Sequence, residues 1–302
     1  MILVTGSEGL VGRHVCARLE AMGRAVRRFD LRRNPREDVR RAEALEASLR
    51  DVTGVLHLAA VTRVDAGEAD PANCEATNVD ALHQLLKLCL ERPHRPWVVF
   101  ASSREVYGTP TTFPASEDAD LKPMNVYARS KVRGEAMVQA AREAGLRAGI
   151  CRLSSVYGCV ADHPDRVAMA FAGVAARGGA MRVDGSDCEF DFTAVRDVAI
   201  GLCRLIDAME SGEQLPPIHF VSGRGVRLGT LATLAGRLAR APFEIIEAPA
   251  RTYDVSRFIG DPTRARALLG WQADTSIEQG MARLVADLSM AVGPSARAVQ
   301  GA

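Results

Sequence analysis

The chain alternates between short, mostly apolar runs and longer stretches whose apolar residues have helical spacing. Five apolar runs lie at 1–6, 25–30, 54–60, 97–102 and 147–154. Helical spacing follows the first four runs, at 11–23, 42–50, 71–91 and 125–144. Strands that are apolar on both faces and alternate with helices form parallel sheets with helices on each side. The sequence therefore predicts a doubly wound α/β fold.

This regular alternation ends after residue 158, where glycine and polar residues become frequent. We expect residues 1–158 to form the main domain, and residues 192–222 to return to its sheet. A smaller C-terminal lobe that binds the substrate would consist of residues 159–191 and 223–290. Residues 291–302 would form a frayed tail.

The composition places limits on the class of protein. Of the 302 residues, 47% are hydrophobic and 25% are charged, and the formal net charge of +1 gives no reason to expect a nucleic-acid partner. No apolar run reaches the roughly 18 residues of a membrane span. The first strand starts at Ile2 and leaves no room for a leader, so we expect a cytoplasmic chain. The seven cysteines form no C-x-x-C pair, which favours reduced thiols and no metal site.

Three glycines follow the first predicted strand at regular spacing. Gly6, Gly9 and Gly12 surround the start of the next helix, which begins near Leu10 and Val11. Glycines let the backbone turn tightly and approach a pyrophosphate, and a helix N-terminus offers free N–H groups to it. A structural turn without a ligand is the alternative. The strand–turn–helix context favours a dinucleotide site, and hence a Rossmann-like domain.

The residue that ends the second predicted strand indicates which dinucleotide would bind. A carboxylate at Asp30 can accept hydrogen bonds from both ribose hydroxyls of an adenosine and would repel a 2′-phosphate. Arg32 and Arg33 point the other way, because arginine can hold a 2′-phosphate. We therefore expect NAD in preference to NADP.

Tyr127 and Lys131 are four residues apart in the predicted helix at 125–144 and share one of its faces. Tyrosine is a poor base at its ordinary pKa of about 10. A neighbouring ammonium and a cationic nicotinamide would both favour the phenolate. Ser103, at the end of the preceding strand, offers a hydroxyl for the substrate oxygen. Together with the glycine turn, this set indicates hydride-transfer chemistry.

Several further motifs occur in a fixed order. They are "TGSEGLVG" (5–12), "EDV" (37–39), "HLAA" (57–60), "SSREVYG" (102–108), "YARSK" (127–131), "RLSSVYG" (152–158), "FDFTAVRDVA" (190–199) and "LLGW" (268–271). In this order they resemble the extended short-chain dehydrogenases/reductases of the NAD-dependent epimerase/dehydratase family. The resemblance covers essentially the whole chain and is much less specific for the substrate.

The resemblance implies a nucleotide-sugar substrate and assigns the catalytic roles. Tyr127 would be the base that starts oxidation at a sugar hydroxyl, normally at C4. Lys131 would bind the nicotinamide ribose and tune Tyr127, and Ser103 would hydrogen-bond the sugar oxygen. The resemblance also implies a homodimer, in which helices near 75–91 and 127–144 from each subunit form a four-helix bundle.

The resemblance also places the rest of the cofactor. Asp38 and Val39 occupy the positions that usually contact the adenine. Leu58, Ala59 and Ala60 would line the cofactor cleft, although they are equally compatible with an ordinary buried strand end.

Ser103, Arg104 and Glu105 align with the Thr-Asp-Glu of sugar 4,6-dehydratases. In those enzymes the aspartate donates a proton to the leaving hydroxyl, and the glutamate removes the C5 proton. Arginine stays protonated in proteins and cannot replace that acid. Arg104 has three possible roles: it points at solvent, it pairs with Glu105, or it binds an anionic group of the substrate. Glu105 remains a candidate second base.

A second departure from the family concerns the diphosphate of the substrate. The family commonly has Arg-Asp-Phe where this chain has Phe190–Phe192. Arg182, Arg196 or Arg257 could replace the missing arginine, since guanidinium pairing with phosphate needs only suitable geometry. Arg257 matches the family's second phosphate-binding position.

These features favour an NAD-dependent nucleotide-sugar epimerase that acts through a transient 4-keto sugar. One alternative is a nucleotide-sugar dehydratase or decarboxylase that uses Glu105. Another is an NAD(P)-dependent dehydrogenase or reductase of a small hydroxy or keto compound. The complete set of Ser103, Tyr127 and Lys131 argues against a catalytically idle dinucleotide-binding protein.

Overall fold

The computed structural model describes residues 1–251 and 255–291. Its strands are β1 (Ile2–Thr5), β2 (Val26–Phe29), β3 (Gly54–His57), β4 (Trp97–Ser103), β5 (Ala148–Leu153), β6 (Ser155–Tyr157), β7 (Gly179–Asp184), β8 (Glu189–Ala194), β9 (Ile218–Phe220), β10 (Gly225–Arg227), β11 (Phe243–Ala248) and β12 (Arg257–Phe258). Its α-helices are α1 (Leu10–Ala21), α2 (Ala42–Ser48), α3 (Val64–Ala69), α4 (Pro71–Glu75), α5 (Ala81–Glu91), α6 (Val126–Glu143), α7 (Val167–Arg177), α8 (Val195–Glu210), α9 (Leu228–Arg237), α10 (Thr263–Leu269) and α11 (Ile277–Ala291). The predicted tail, apart from Ala291, lies outside the described residues.

Six strands form the central sheet in the order β2-β1-β3-β4-β5-β9, and every neighbouring pair is parallel. Adjacent residues of a strand point to opposite faces, so both faces of this sheet carry apolar side chains. Val4 and Leu56 pack with α1 and α8 on one face. Leu3 and Val55 pack with α2, α5 and α6 on the other. This arrangement confirms the predicted Rossmann-like α/β fold.

The chain leaves the central sheet after β5 and builds two small sheets. Strand β8 pairs with β6 and β12 in parallel and with β10 antiparallel. Strand β7 pairs in parallel with β11. Helices α7, α9 and α11 pack around a separate apolar cluster that includes Phe171, Phe192, Leu231 and Leu284. Strand β9, which lies between β8 and β10 in the chain, returns to the edge of the central sheet beside β5.

A buried carboxylate connects strand β8 to the segment that follows β9. Asp191 accepts hydrogen bonds from the backbone N–H groups of Ser222 and Gly223, each at 2.8 Å, and from the Ser222 hydroxyl. Burial raises the pKa of Asp191, while these donors act in the opposite direction. The contacts fix the position of β8, whose Phe190 reaches the functional site.

The segment at 71–91 is not the single α-helix that its spacing predicts. Helices α4 and α5 are joined by a π-helical turn over Ala76–Asp80. Within this turn, the Asn78 side chain accepts a bond from the Val61 N–H and donates to the Val61 carbonyl and to Ser130 Oγ. The wider turn places this buried amide between the loop after β3 and helix α6. Among residues 1–251 and 255–291, no helix has the length and apolar character that a membrane span requires.

Candidate active site

The glycine turn after β1 is closed by contacts that leave no room for a side chain at Gly6 or Gly12. Gly6 has a φ of +71°, and a Cβ there would lie 2.7 Å from the backbone nitrogen of Ala59. A Cβ on Gly12 would lie 2.1 Å from the Gly6 carbonyl oxygen. Gly9 precedes helix α1 and has no side chain that could cap its first N–H groups. The helix N-terminus is therefore open to a phosphate, as a dinucleotide site requires.

At the end of β2, backbone contacts hold the Asp30 carboxylate at the cleft. Its two oxygens accept hydrogen bonds from the N–H groups of Glu8 and Arg32, each at 2.8 Å. Arg32 also lines the cleft, whereas Arg33 donates to the Arg28 carbonyl and pairs with Glu37. The glycine turn and this anchored carboxylate fit NAD, and the negative charge disfavours a 2′-phosphate.

Asp38 and Val39 lie beside the same cleft, on the loop before α2. Hydrogen bonds from Arg40 lower the pKa of Asp38, so its carboxylate stays charged. Arg40 also donates to Asn73 Oδ1 at 3.0 Å. This contact connects the loop to helix α4. It holds in place the side of the cleft at which we expect the adenine to bind.

A single cleft of about 710 Å³ brings together all of the residues that the sequence predicts for cofactor binding and catalysis. It runs from the glycine turn along Leu58–Ala60 to Ser103, Tyr127 and Lys131. These groups come from the ends of β1, β3 and β4 and from α6. Ligand sites of open parallel sheets lie at this carboxyl edge of the strands.

The catalytic candidates form one buried group at the floor of the cleft. Burial raises the pKa of Tyr127 to about 12, although a hydrogen bond with Ser103 opposes the rise. Burial lowers the pKa of Lys131 to about 8. Lys131 Nζ donates to the Ala101 carbonyl at 2.8 Å and lies 5.8 Å from the centre of the Tyr127 ring. A cation beside a phenol favours the phenolate, which is the form that acts as a base.

Arg104 and Glu105 form an ion pair beside Ser103. Arg104 Nη2 lies 2.9 Å from Glu105 Oε1, and the Glu105 N–H donates to Ser103 Oγ at 3.2 Å. Both side chains are largely buried, so Arg104 does not point into solvent. Of the three possibilities that the sequence leaves for Arg104, the structure shows the pair with Glu105.

A second cavity, of about 330 Å³, adjoins the cleft and shares Arg104 and Glu105 with it. Of the three arginines predicted for the diphosphate, only Arg182 is among the lining residues, and its Nε lies 2.7 Å from Asp184 Oδ1. Arg196 is exposed on α8 and lines neither cavity. Arg257 also lines neither cavity and pairs with Glu189 at 2.8 Å.

Two arginines that were not predicted from the sequence, Arg63 and Arg166, line both cavities. Arg63 Nη1 lies 3.0 Å from Asp165 Oδ2, and Arg166 Nη2 donates to Thr62 Oγ1 at 3.2 Å. These contacts join the loop after β3 to the polar segment before α7. Neither arginine belongs to a motif, and the polar cluster at 161–166 was the only available signal.

Comparisons with known proteins identify the family. The model of the NAD dependent epimerase/dehydratase family matches residues 2–221. The UDP-glucose 4-epimerase of Mycolicibacterium smegmatis is 31% identical, over 94% of this chain and 96% of the relative. Among solved structures, MoeE5 in complex with UDP-glucose and NAD has a TM-score of 0.89 and 26% identity, over 97% and 99% of the two chains. The NDP-hexosamine 5,6-dehydratase TunA has a TM-score of 0.85 and 28% identity, over 96% and 97%. The chain therefore belongs to the NAD-dependent epimerase/dehydratase family of enzymes.

Proposed function

We propose that this protein is an NAD-dependent nucleotide-sugar epimerase that acts through a transient 4-keto sugar. The observation that carries the proposal is the buried group of Ser103, Tyr127 and Lys131 in the same cleft as the glycine turn. This group can move a proton at a sugar hydroxyl beside a bound dinucleotide. The similarity to a UDP-glucose 4-epimerase and to MoeE5 in complex with UDP-glucose and NAD supports a UDP-sugar as the substrate.

The chain offers a distinct group to each part of the cofactor. The N–H groups of Leu10 and Val11, at the start of α1, would hold the pyrophosphate, and Asp30 would accept hydrogen bonds from the adenosine ribose hydroxyls. Asp38 and Val39 would meet the adenine, and Lys131 would meet the nicotinamide ribose. When bound, NAD supplies the acceptor for the hydride of the sugar carbon and the donor that returns it.

Tyr127 would carry the proton in both directions. Its phenolate would take the proton of the C4 hydroxyl as the C4–H bond breaks, which leaves a ketone at C4. After the sugar presents its other face, the Tyr127 hydroxyl would return the proton to the oxygen at C4. Ser103 would donate a hydrogen bond to that oxygen throughout. The Lys131 ammonium would stabilise the phenolate that is present before the first transfer and again after the second.

The substrate would extend from this catalytic group into the second cavity. Arg182 lines that cavity, and we propose it as the arginine that binds the nucleotide diphosphate in place of the one missing at Phe190. Arg166 reaches both cavities and would lie between the cofactor and the sugar.

A second candidate function rests on Glu105. This carboxylate lines both cavities next to Ser103, where it could act as a second base on the sugar. The similarity to the 5,6-dehydratase TunA supports a reaction of this kind. Dehydration or decarboxylation of the nucleotide sugar would then follow oxidation.

A panel of nucleotide sugars separates these functions. Purified protein would be incubated with UDP-, GDP-, dTDP- and CDP-sugars, with products identified by mass spectrometry and proton NMR. We expect a C4 epimer of unchanged mass and no accumulation of NADH. Loss of water or carbon dioxide would indicate the second candidate. Steady NADH production with a small alcohol would instead show a dehydrogenase that releases its reduced cofactor.

Replacing Tyr127 tests the assignment of the base. Tyr127→Phe removes the hydroxyl and keeps the ring, so we expect turnover to fall at least about 10³-fold, within the range of general acid–base effects. NAD affinity, measured by calorimetry, should stay within about threefold, because the glycine turn and Asp30 are untouched. If the variant retained more than a tenth of wild-type turnover, Tyr127 would not be the base.

A further inference from the structure

Both carboxylate oxygens of Glu105 are already held by other side chains. Arg104 Nη2 lies 2.9 Å from Oε1, and Asn125 Nδ2 donates to Oε2 at 3.2 Å. Asn125 is itself fixed, since its Oδ1 accepts the N–H of Ala128 and caps helix α6. These two contacts fix the orientation of the carboxylate, so it has little freedom to turn its remaining lone pairs towards a carbon atom of the substrate.

The guanidinium of Arg104 is held in place by the small sheet around β8. Its Cζ lies 4.5 Å from the centre of the Phe190 ring and 6.0 Å from that of Phe258. The Arg104 and Glu105 side chains are only 14% and 9% exposed. Stacking on aromatic rings restricts the guanidinium, and burial protects the ion pair from salt and water. The pair is therefore a fixed part of the site.

A 4-keto sugar can undergo a side reaction at C5, which an enzyme that only changes the configuration at C4 must prevent. The ketone makes the hydrogen at C5 acidic, because the resulting carbanion is delocalised as an enolate. A free carboxylate beside the sugar would take this proton, as in any proton abstraction next to a carbonyl. Glu105 is the carboxylate concerned, because it lines both cavities and its N–H donates to Ser103 Oγ.

We propose that Arg104 is a positioning residue that withholds Glu105 from the C5 proton and so limits the enzyme to epimerisation. This inference rests on the proposed function. It gives a reason why epimerisation would occur rather than dehydration or decarboxylation with Glu105 as the base. Without Arg104, the C5–H bond would break, the proton would move to a Glu105 oxygen, and the electron pair would move to the C4 oxygen as an enolate. Return of a solvent proton to C5 would complete the exchange.

Deuterium exchange at C5 tests this role. Holoenzyme would be incubated with UDP-glucose and the other sugars of the panel in D₂O, and recovered sugars examined by NMR and mass spectrometry for deuterium at C5. We expect no incorporation by the wild type over many turnovers. Arg104→Met, which keeps most of the side-chain volume over Phe190, should raise the rate of incorporation at least about tenfold, within the range of general-base effects.

Three further variants establish the cause. Arg104→Lys restores a cation and should return exchange towards the wild-type rate. Arg104→Met combined with Glu105→Gln should abolish exchange, which a merely structural effect of Arg104 would not produce. Arg104→Gln replaces the methionine variant if that protein does not fold.

Deuterium exchange at C5 and epimerisation at C4 are measured in the same samples. The proposed function and the proposed role of Arg104 can therefore be contradicted independently. Absence of a C4 epimer with every sugar would contradict the proposed function. Exchange that does not rise when Arg104 is removed, or that persists after Glu105→Gln, would overturn the role of Arg104.

Discussion

Lys131 is a cation buried at the floor of the cleft, and its burial makes stability depend on pH. Burial lowers its pKa from 10.5 to about 8 in the folded state. Between these two values, the unfolded chain binds more protons than the folded protein. The free energy of unfolding must therefore rise with pH across this window. Below pH 8 both states are protonated, and the cost of the buried charge is fully present.

Lys131→Met removes this dependence. The comparison uses protein from which the nucleotide has been removed. We expect the free energy of unfolding of the wild type, relative to that of the variant, to rise by about 2 kcal/mol between pH 7 and pH 10. Losing the bond to the Ala101 carbonyl adds an offset that does not change with pH. Urea titrations at several pH values measure the gap, and parallel curves for the two proteins would contradict the assigned shift.

The spacing of Tyr127 and Lys131, together with the glycine turn and the strand before Ser103, indicated these three catalytic candidates, but the sequence did not indicate the conformation of Arg104. Tyr127 and Lys131 are one helical turn apart, and Ser103 ends a strand, so local rules place them. The conformation of Arg104 depends on Phe190, Phe258 and Asn125, which are distant in the sequence. No spacing rule predicts such contacts, and the same limit applies to Arg63 and Arg166.

At the scale of elements, helix α1 depends on the glycine at its first turn. Alanine normally stabilises a helix interior by about 1 kcal/mol relative to glycine. At Gly12 the effect should be reversed, because a Cβ would lie 2.1 Å from a backbone oxygen that cannot move aside cheaply. We expect Gly12→Ala to lower the melting temperature and to weaken NAD binding at least about tenfold, since the turn must open.

Gly9→Ala is the matched control for this change. The closest atom to its added Cβ would be the same Gly6 oxygen, but at 3.2 Å. Thermal melts without NAD should therefore show a clearly smaller loss for Gly9→Ala than for Gly12→Ala. Equal losses would mean that the close approach of α1 to the turn is not what requires glycine.

Among the elements, long periodic segments were predictable and short pairings were not. The five N-terminal runs correspond to β1–β5, and the apolar residues of β1, β3 and β4 are buried on both faces. The π-helical turn at Ala76–Asp80 was not predicted, because it accompanies a hydrogen bond between Asn78 and Val61 that helical spacing does not indicate. Strands β6, β10 and β12 have only two or three residues, and their partner β8 is distant in the chain.

At the scale of the whole molecule, the resemblance to the family bears on self-association of the chain. Helices α5 and α6 pack side by side on one side of the central sheet. We propose that they form the four-helix bundle of a homodimer, as the family resemblance implies. Light scattering should then give about twice the chain mass of 32.4 kDa.

Ala136 is exposed on α6, and Ala47 is exposed on α2. Ala136→Arg should shift the protein towards the monomer, because a long charged side chain would separate the packed helices. Ala47→Arg makes the same change on a helix outside the proposed bundle and should leave the dimer intact. A monomeric wild type, or a dimer that survives Ala136→Arg, would contradict this arrangement.

The return of β9 to the central sheet has a consequence for synthesis of the chain. Until Ile218–Phe220 leaves the ribosome, β5 has an open edge at Cys151–Leu153, where its last partner will pair. Open strand edges recruit other chains, and nascent proteins are most exposed to this hazard. The central sheet is therefore completed only after β6 and β8, two of the four strands of the small sheet around β8, have been made. A fragment ending at residue 158 would emerge with this edge uncovered, and would be expected to require a chaperone or a substitute strand.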